Sequence, residues 1–410
     1  MPEQMIRMIN MFITWLPDMD ILFNENDECR VVIPWAEKQA LLEKEKENRI
    51  RRADDKYVNW YTQTEWFGTH QLQPSLTIGR SKVETTDFVD LSEKPVWDFS
   101  IQGCPPNSPA HSPILSGPHL QAVCMDPHTS VSAFRSTRYV SNYTRSADIC
   151  YQPDLRFQSG FFMAPAAFLG THIPIPIFSQ SRVEPYNDIL APSPWHYSGR
   201  SRYEDDKDHI WKERYDVFFW RGANTNGIST KGGWRFHLRE RFVKISRILR
   251  GQVDVGFTEI TRCRGEDCRE EEHAFQLKNN VQFEEFFKYK FLPDLDGAAF
   301  SGRWVSFLMS RGLPFKMAIF REWFDSRIIA WRHYVPLDVR LRGRDFKTVV
   351  DWFMREENYR FSKKVADWGR EWTLGTLRDQ DAEIYMFRLL LEYARVMNDD
   401  RDRLGFTLNE

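Results

Sequence analysis

From residue 216 onward, short apolar segments alternate with helix-forming segments, and this alternation limits the possible folds more than any other feature of the sequence. Apolar strands are predicted at 216–220, 253–257 and 313–318, and a helix is predicted at 234–249 between the first two. Strands that alternate with helices pair in parallel, because each helix carries the chain back to the same end of the sheet. The sequence therefore predicts an α/β fold with a doubly wound parallel sheet.

Two loops in this half have the composition of phosphate sites. One runs from Arg221 to Gly227 after the strand at 216–220, and the other lies within the stretch 289–310. In that stretch, small residues open a helix that is expected to carry Arg303 in its first turn. A helix start offers unpaired N–H groups, and an adjacent guanidinium can fork onto phosphate oxygens. An ordinary strand, turn and helix with a surface arginine is the alternative.

A third polar loop, at 25–30, follows a buried strand that is predicted at 20–24. Catalytic groups gather at the carboxyl ends of strands in open α/β sheets, so Asp27 is a candidate general base. Arg30 is close enough in the sequence to orient Asp27 or to pair with it. As a generic surface ion pair, the same two residues would contribute little to stability.

The length of the chain predicts two domains. A chain of 410 residues with 42% hydrophobic residues exceeds what one core usually holds. A boundary is predicted at 198–208, which is charged and poor in apolar residues, and a loop-rich insertion is predicted at about 71–142. Further helices are predicted at 5–16, 36–54, 345–356, 359–374 and 379–397, the second of them highly charged and therefore on the surface.

The charge balance limits the partners. The 56 basic and 58 acidic residues give a formal net charge of −2, which excludes the basic field of a nucleic-acid-binding protein. No apolar run is long enough to span a bilayer, and the first residues lack the pattern of a signal peptide. We therefore expect no nucleic-acid partner and no transmembrane segment in this chain.

The cysteines leave two alternatives open. The six cysteines show no zinc-binding spacing. Cys263 and Cys268 flank a short polar loop and could form a disulfide, whereas free thiols of a cytosolic protein are the alternative. One glycosylation sequon, at Asn142, favours a secretory-pathway origin.

Four motifs together resemble a known family. In chain order they read FNENDECRVVIPW, FFWRGANTNG, YKFLPDLDGAAFSGRW and WRHYVPL. In this order and spacing they resemble glycosyltransferase family ninety, which includes fungal capsule-associated xylosyltransferases and animal protein O-glucosyltransferases. The likeness extends over nearly the whole chain, is weakest across 71–142, and is closer to the fungal branch.

The resemblance implies a GT-B fold, in which two Rossmann-like domains face each other across a cleft and C-terminal helices pack back. Residues 1–200 would form the acceptor side and 201–410 the nucleotide-sugar side. The implied reaction transfers xylose or glucose from a UDP-sugar to a hydroxyl of a glycan or glycoprotein, with inversion, in the Golgi or ER lumen. A membrane anchor would come from a segment absent from this chain.

The resemblance also implies roles for individual residues. Asp27 corresponds to the family's catalytic aspartate. The implied nucleotide-sugar-binding residues are Arg221, Gly222, Asn224, Thr225, Gly227, Arg235, Phe300, Ser301, Gly302, Arg303, Glu322, His333, Tyr334 and Val335. By analogy with the fold, Glu322 would accept from ribose hydroxyls, and His333 to Val335 would line the base pocket. The animal enzymes carry an arginine where this chain has Asn224, so part of the phosphate charge is expected to be met by Arg235 or Arg239.

A metal-dependent mechanism is the main chemical alternative. Asp18 with Asp20, and Asp294 with Asp296, match the DxD pattern that binds Mn²⁺ in another glycosyltransferase fold, but such short motifs often arise by chance. We expect no metal and no cofactor, and we expect Asp294 and Asp296 to shape a turn. A non-catalytic carbohydrate-binding or scaffold protein is the second functional class, and a hydrolase with paired carboxylates is a weaker third.

Overall fold

The computed structural model describes residues 2–51, 58–59, 87–112, 139–197, 201–249, 253–398 and 404–405. Its strands are β1 (Leu22–Phe23), β2 (Val58–Asn59), β3 (Val89–Asp90), β4 (Leu169–Gly170), β5 (Ile177–Ser179), β6 (Ile189–Leu190), β7 (Tyr215–Ala223), β8 (Val253–Glu259), β9 (Tyr289–Leu295), β10 (Leu313–Met317), β11 (Val335–Pro336) and β12 (Leu404–Gly405). Its helices are α1 (Pro2–Asn10), α2 (Trp35–Arg51), α3 (Trp97–Ser100), α4 (Tyr143–Ser146), α5 (Gly160–Met163), α6 (Pro194–Tyr197), α7 (Leu238–Ser246), α8 (Glu266–Phe275), α9 (Trp304–Met309), α10 (Gly343–Met354), α11 (Tyr359–Thr376) and α12 (Asp379–Met397).

The largest sheet has five strands in the order β8-β7-β9-β10-β11, and every pair is parallel. Numbered along the chain, this order is 2-1-3-4-5, which confirms the predicted doubly wound parallel sheet. In such sheets the chain leaves the first and third strands in opposite directions, and ligands bind in the crevice outside their carboxyl ends. That switch point lies here between β7 and β9.

Neighbouring aromatic residues of β7 face opposite sides of the sheet, as the alternation of a strand requires. The ring of Phe218 lies 6.1 Å from Phe242 of α7 and 6.1 Å from Phe346 of α10. The ring of Phe219 stacks on Tyr289 at 3.8 Å and packs against Phe286 on the other face. Both faces of the sheet are therefore covered, which explains why its strands read as apolar runs rather than as alternating ones.

The N-terminal half contains a smaller parallel sheet, β1-β5-β6, whose strands are two or three residues long. A single buried cluster includes residues from both halves, and the rings of Phe161 and Phe320 lie 5.1 Å apart. The division into two domains at 198–208 stays a prediction, and residues 198–200 lie outside the described part of the chain.

Part of the predicted insertion at 71–142 is packed rather than loop-like. Residues 87–112 contribute Trp97, which is 2% exposed, to the common core, and Cys104 forms a disulfide with Cys150. The surrounding sequence is poor in apolar residues, so it gave no sign that Trp97 and Cys104 are buried. The remainder of the predicted insertion, apart from 139–142, lies outside the described residues.

Several predicted elements differ in length from the observed ones. The N-terminal helix ends at Asn10 rather than at residue 16, and the buried strand predicted at 20–24 is the two-residue β1, whose Leu22 is exposed. The helix predicted at 234–249 is broken at His237, where an extended backbone separates a short 3-10 turn from α7. The last three helices are confirmed as α10, α11 and α12.

The charged helix predicted at 36–54 is α2, with mostly exposed side chains where these are described; residues 52–54 lie outside the described residues. Among the helices that the structure describes, none combines the length and the apolar composition that a bilayer crossing requires.

A close backbone contact joins the two halves beside the switch point. Asn226 is fully buried, and its side-chain oxygen accepts hydrogen bonds from the backbone nitrogens of Gly160 (2.9 Å) and Leu238 (3.1 Å). Its amide nitrogen donates to the carbonyl oxygen of Gly297 at 2.9 Å. A Cβ atom on Gly160 would lie 1.9 Å from the carbonyl oxygen of Asn226, so only glycine fits there.

We expect Gly160→Ala to lower the free energy of unfolding by about 1–3 kcal/mol, because the added methyl group must displace backbone on both sides of the contact. Gly375→Ala is the control, since a Cβ atom at this position of α11 meets nothing within 4 Å. That change should stabilise the protein by up to about 1 kcal/mol, because alanine favours helix. Urea unfolding measures the free energy of unfolding of both variants. Equal changes in the two variants would contradict the close backbone contact at Gly160.

Candidate active site at the switch point

The loop that carries Asp27 is held by its neighbours. The side chain of Asn24 donates to the carbonyl oxygen of Glu28 at 2.7 Å and accepts from the backbone nitrogen of Asn26 at 3.1 Å. The buried carboxylate of Glu28 accepts hydrogen bonds from the backbone nitrogens of Ala166 (3.1 Å) and Ala167 (3.2 Å). Because both ends are fixed, the loop presents Asp27 in a defined position.

Asp27 is partly buried between two residues that are distant in the sequence. Trp195 of α6 donates a hydrogen bond to its carboxylate, and Arg262, beyond β8, is close enough for its charge to act on it. Burial raises the pKa of Asp27 above its ordinary value, while Arg262 and Trp195 act in the opposite direction. A carboxylate with a raised pKa is a stronger base, as proton abstraction at neutral pH requires.

Arg30, the expected partner of Asp27, has a different role. Its guanidinium donates to the side-chain oxygen of Asn24 and to the carbonyl oxygen of Leu169 at 2.9 Å. Its backbone nitrogen donates to the carboxylate of Asp188 at 2.9 Å. The idea that Arg30 pairs with Asp27 is therefore wrong, because the loop turns the two side chains toward different neighbours.

The carboxyl ends of β7 and β9 are joined by Arg239, a residue of α7. Its guanidinium donates to the carbonyl oxygens of Ala223 and Asp296, both at 2.8 Å, and of Leu295 at 3.3 Å. The side chain is buried, and burial lowers its pKa to about 10. Arg239 thus satisfies strand carbonyls at the switch point, and its guanidinium is already occupied by protein acceptors.

Arg303 lies at the rim of the same crevice. Its guanidinium donates to the carbonyl oxygen of Arg221 at 2.6 Å. The guanidinium carbon lies 5.7 Å from the centre of the Trp220 ring and 5.3 Å from that of the Phe286 ring. It is the residue before α9 rather than part of its first turn, and its carbonyl oxygen accepts a helical bond from the nitrogen of Phe307 at 3.0 Å. Arg303 remains partly exposed as a residue, although burial lowers the pKa of its guanidinium.

Trp195 joins the two predicted parts of the site. A Cβ atom on Gly302 would lie 3.7 Å from Cβ of Trp195 and 3.9 Å from Cγ, so this tryptophan packs directly on the turn before Arg303. The same residue hydrogen-bonds Asp27. The structure therefore brings the candidate base and the turn that precedes the candidate phosphate residue against one side chain, although they are far apart in the sequence.

The turn between β9 and α9 is shaped by the two aspartates of the DxD pattern. Ser301 donates its hydroxyl to Asp294 at 2.5 Å, and Asp296 accepts from the backbone nitrogen of Ile319 at 2.6 Å. Both carboxylates are 1% exposed, and burial raises the pKa of each. This confirms that Asp294 and Asp296 shape the turn. Among the described residues, no group of three or more His, Cys, Asp and Glu side chains is arranged to hold a metal ion.

Residues of the loop after β7 occupy several different positions. Arg221 pairs with Asp254 at 2.6 Å, and Arg235 is exposed and pairs with Glu270 at 2.9 Å. The hydroxyl of Thr225 faces the turn, 3.0 Å from where a Cβ atom on Gly297 would lie. The remaining glycines of the loop have structural contacts: Gly222 lies against the Trp220 ring, and Gly227 lies against Gly160.

Asn224 holds a neighbouring loop. Its side-chain oxygen accepts from the backbone nitrogens of Thr261 (2.8 Å) and Arg262 (3.0 Å), and its amide nitrogen donates to Glu271 at 3.0 Å. The side chain is fully buried. In this structure Asn224 therefore positions Arg262, and direct binding of a ligand by Asn224 stays a prediction.

Glu322 follows β10 and is buried, with its carboxylate 2.7 Å from Nε2 of His196. Burial raises the pKa of Glu322, and His196 acts in the opposite direction. The ring of His196 also lies 5.7 Å from Phe300. On its other side, His196 lines a cavity of about 570 Å³ that is bounded by α6, α9, α11 and α12. The predicted ribose contact of Glu322 would require it to exchange this histidine partner.

The three residues His333 to Val335 pack within the interior. The ring of His333 stacks on Trp372 of α11 at 5.4 Å, and Tyr334 lies 5.3 Å from Trp304. Val335 is fully buried in β11. They precede or begin β11, so they lie toward the end of that strand opposite to the carboxyl end. The contacts of these three residues therefore do not support a role in binding a nucleotide base, and that role stays a prediction.

Three residues beside the site were not identified from the sequence: Trp195, Arg262 and Asn226. Trp195 and Arg262 come from segments remote from Asp27, and no local pattern distinguishes them. Asn226 could have been noticed, because an asparagine between polar loop residues and a glycine often forms side-chain to backbone bonds.

Two buried glutamates behind the switch point should make stability depend on pH. Burial raises the pKa of Glu240 to about 8 and that of Glu271 to about 7. In the unfolded chain both titrate near about 4.3. The folded protein therefore binds more protons than the unfolded one between these values, and its stability falls as pH rises through that window.

We expect the free energy of unfolding to decrease from about pH 5 to about pH 9, and Glu240→Gln to flatten this dependence, because a neutral amide cannot be deprotonated. Glu272→Gln is the control, since Glu272 is exposed on the same helix as Glu271. Urea unfolding at several pH values measures the slope. A profile for Glu240→Gln that is as steep as that of the wild type would contradict the prediction.

Comparison with known proteins identifies the family. Residues 166–403 match the model of the family described as Glycosyl transferase family 90. The matched region contains every predicted nucleotide-sugar-binding residue, whereas Asp27 lies before it. The match is thus shorter than the nearly full-length likeness that the motifs suggested.

Similar curated proteins bear related names. The O-glucosyltransferase rumi homolog of Anopheles gambiae is 26% identical over 242 residues, and the match covers 54% of this chain and 56% of that protein. O-glucosyltransferase rumi of Drosophila melanogaster is 23% identical over 242 residues, 54% and 55% of the two chains. Protein O-glucosyltransferase 1 of Homo sapiens is 21% identical over 244 residues, 55% and 58%.

The chain spans about half the length of the curated relatives that it matches. The family match, by contrast, covers more than half of the chain and includes the whole switch-point sheet. This chain therefore belongs to glycosyl transferase family 90.

Proposed function

We propose that this chain is an inverting glycosyltransferase that moves a sugar from a UDP-sugar to a hydroxyl group of a glycan or glycoprotein. The observation that carries the proposal is the convergence of Asp27 and the turn before Arg303 on Trp195. One carboxylate and one cationic group on opposite sides of a crevice are what a direct displacement at an anomeric carbon needs.

In the proposed reaction, the acceptor hydroxyl attacks the anomeric carbon from the side opposite the UDP leaving group. Asp27 takes the hydroxyl proton as the new glycosidic bond forms. The bond from the anomeric carbon to the phosphate oxygen breaks, and UDP leaves with the bonding electrons and added negative charge. Arg303 stabilises that charge, since donors fixed beforehand around a developing anion lower the barrier.

We propose a metal-independent mechanism. The carboxylates of Asp294 and Asp296 are supported in structural roles, because both are buried and accept hydrogen bonds from the turn and from the residues after β10. A metal ion would have to enter this buried turn to reach either carboxylate. Loss of transfer in EDTA, restored by Mn²⁺, would contradict this part of the proposal.

We also propose the GT-B arrangement, with an acceptor-side domain at 1–200 and a nucleotide-sugar-binding domain at 201–410. The parallel strands β1, β5 and β6 before the predicted boundary, and the five-stranded sheet after it, support this division. The buried cluster that both halves share would make the relative motion of the domains small.

We also propose a donor sugar and a cellular compartment. The relatives are named O-glucosyltransferases, and the motif resemblance to the fungal branch suggests xylose, so the two candidate donors differ by one hydroxymethyl group. The disulfides Cys104–Cys150 and Cys263–Cys268 support a secretory-pathway location, because disulfides persist in oxidising compartments.

A panel of UDP-sugars tests the proposal. The purified chain is incubated with UDP-xylose, UDP-glucose and UDP-galactose, and release of UDP is measured with and without EDTA. We expect release from UDP-xylose or UDP-glucose that EDTA does not reduce. Binding of carbohydrate without release of UDP from any donor would favour a non-catalytic protein and would refute the proposed activity.

A further inference from the structure

The loop between β8 and α8, residues 260–265, is built to hold one arginine in place. The backbone nitrogens of Thr261 and Arg262 donate to the side-chain oxygen of Asn224 at 2.8 and 3.0 Å. The carbonyl oxygen of Arg262 accepts from the backbone nitrogen of Ser229 at 2.8 Å. We call this segment the Arg262 loop.

Two further contacts hold the Arg262 loop in place. Asn224 is fully buried, and its amide nitrogen donates to the buried carboxylate of Glu271 at 3.0 Å. The next residue of the loop, Cys263, forms a disulfide with Cys268 of α8. The backbone beneath Arg262 is therefore anchored to the loop after β7 and to α8, while the arginine side chain itself is exposed.

Arg262 lies beyond the carboxyl end of β8, and its loop is tied to Asn224, the first residue after β7, so it stands at the carboxyl edge of the sheet beside the switch point. Its guanidinium acts electrostatically on Asp27, which Trp195 hydrogen-bonds and which lies across from the turn before Arg303. An exposed guanidinium can fork onto phosphate oxygens, and the anchored backbone beneath Arg262 limits where its guanidinium can lie.

Other arginines near the switch point are engaged by the protein. Arg221 pairs with Asp254, Arg235 pairs with Glu270, and Arg239 donates to strand carbonyls. The sequence suggested Arg235 or Arg239 as the source of the phosphate charge that Asn224 does not supply. The buried carbonyl contacts of Arg239 make it poorly available for that role, whereas Arg235 is held in an exposed ion pair with Glu270.

We propose that Arg262 binds the diphosphate of the nucleotide-sugar donor and that Asn224 is the residue that positions it. This inference rests on the proposed function, because it assigns a further residue to the same donor site. Arg262 and Arg303 would then approach the diphosphate from two separate loops, one after β8 and one after β9. Neither Arg262 nor Asn224 transfers a proton.

Arg262→Gln tests the proposal with two ligands, UDP and uridine, titrated into the full chain by calorimetry. A charged hydrogen-bond donor to phosphate is lost, so we expect UDP to bind about 10-fold more weakly or worse, with uridine affinity unchanged. Arg264→Gln is the matched control, because Arg264 lies on the same loop and pairs with Glu93. It should leave both affinities as in the wild type.

A second readout separates a phosphate contact from a general loss of loop structure. Arg262 lowers the pKa of Asp27, so its removal should move the acidic limb of the pH–rate profile to higher pH. Arg264→Gln should not move it. Unchanged urea unfolding of Arg262→Gln would show that the chain remains folded.

The outcomes are distinguishable. If Arg262→Gln binds UDP as tightly as the wild type, or weakens UDP and uridine equally, Arg262 does not bind the diphosphate. If the wild type binds UDP and Arg303→Ala weakens it while Arg262→Gln does not, only this inference fails. If the wild type binds no UDP, the proposed function and this inference both fail.

Discussion

Asp27→Asn is expected to reduce sugar transfer by about 10²- to 10⁴-fold, the usual contribution of a positioned general base. Asparagine has nearly the same shape and can still accept the hydrogen bond from Trp195, but it cannot take a proton from the acceptor hydroxyl. The loop should keep its conformation, because its anchors are Asn24 and Glu28 rather than Asp27. Initial rates with the best UDP-sugar measure the effect.

Glu25→Gln is the matched control for this change, since Glu25 is an exposed carboxylate on the same loop. It should transfer sugar at the wild-type rate. Equal rates for Asp27→Asn and the wild type, with the fold intact, would remove Asp27 as the base.

The pH dependence of the wild-type enzyme follows from the same residue. Burial raises the pKa of Asp27 above its ordinary value. Only the ionised carboxylate can accept a proton, so activity should fall as pH drops through this raised pKa. The acidic limb should therefore lie above the pKa of about 3.9 that is usual for aspartate.

Arg303→Ala is expected to cause the second large loss. Removal of one donor from a preorganised anion site costs about 2.7–4 kcal/mol of transition-state stabilisation, which corresponds to a fall in kcat of about 10²- to 10³-fold. UDP binding should weaken as well, because UDP carries the same diphosphate. The kcat and UDP affinity of Arg303→Lys should lie between those of the wild type and of Arg303→Ala, since lysine keeps the charge but cannot fork onto two oxygens.

Arg269→Ala is the control for Arg303→Ala, because Arg269 is an exposed arginine on α8 that pairs with a surface glutamate three residues earlier. It should leave UDP affinity and kcat unchanged. If Arg303→Ala binds UDP and turns over like Arg269→Ala, the guanidinium at the carboxyl end of β7 does not contact the diphosphate.

The sheet could be predicted from the sequence because its signals are local. Apolar runs such as those of β7, β9 and β10 indicate strands that are buried on both faces, and the helices between them require parallel pairing. The amphipathic periodicity of α10, α11 and α12 likewise fixed their positions within a few residues.

The partners of the site residues could not be predicted in the same way. Whether Asn224 faces a ligand or the neighbouring loop depends on the direction of the chain as it leaves β7, which no local pattern encodes. The contact of Trp195 with Asp27 and with Gly302 requires the N-terminal loop to be folded against the C-terminal sheet. The break of the predicted helix at His237 is also a tertiary effect, since Asn226 caps the nitrogen of the following residue, Leu238.

A crystal structure with UDP bound would test the central claim most directly. We expect the diphosphate outside the carboxyl ends of β7 and β9, contacted by Arg303 and Arg262, with Asp27 and Trp195 facing the space for the sugar. UDP bound instead in the cavity between α6, α9, α11 and α12, away from Asp27, would contradict it.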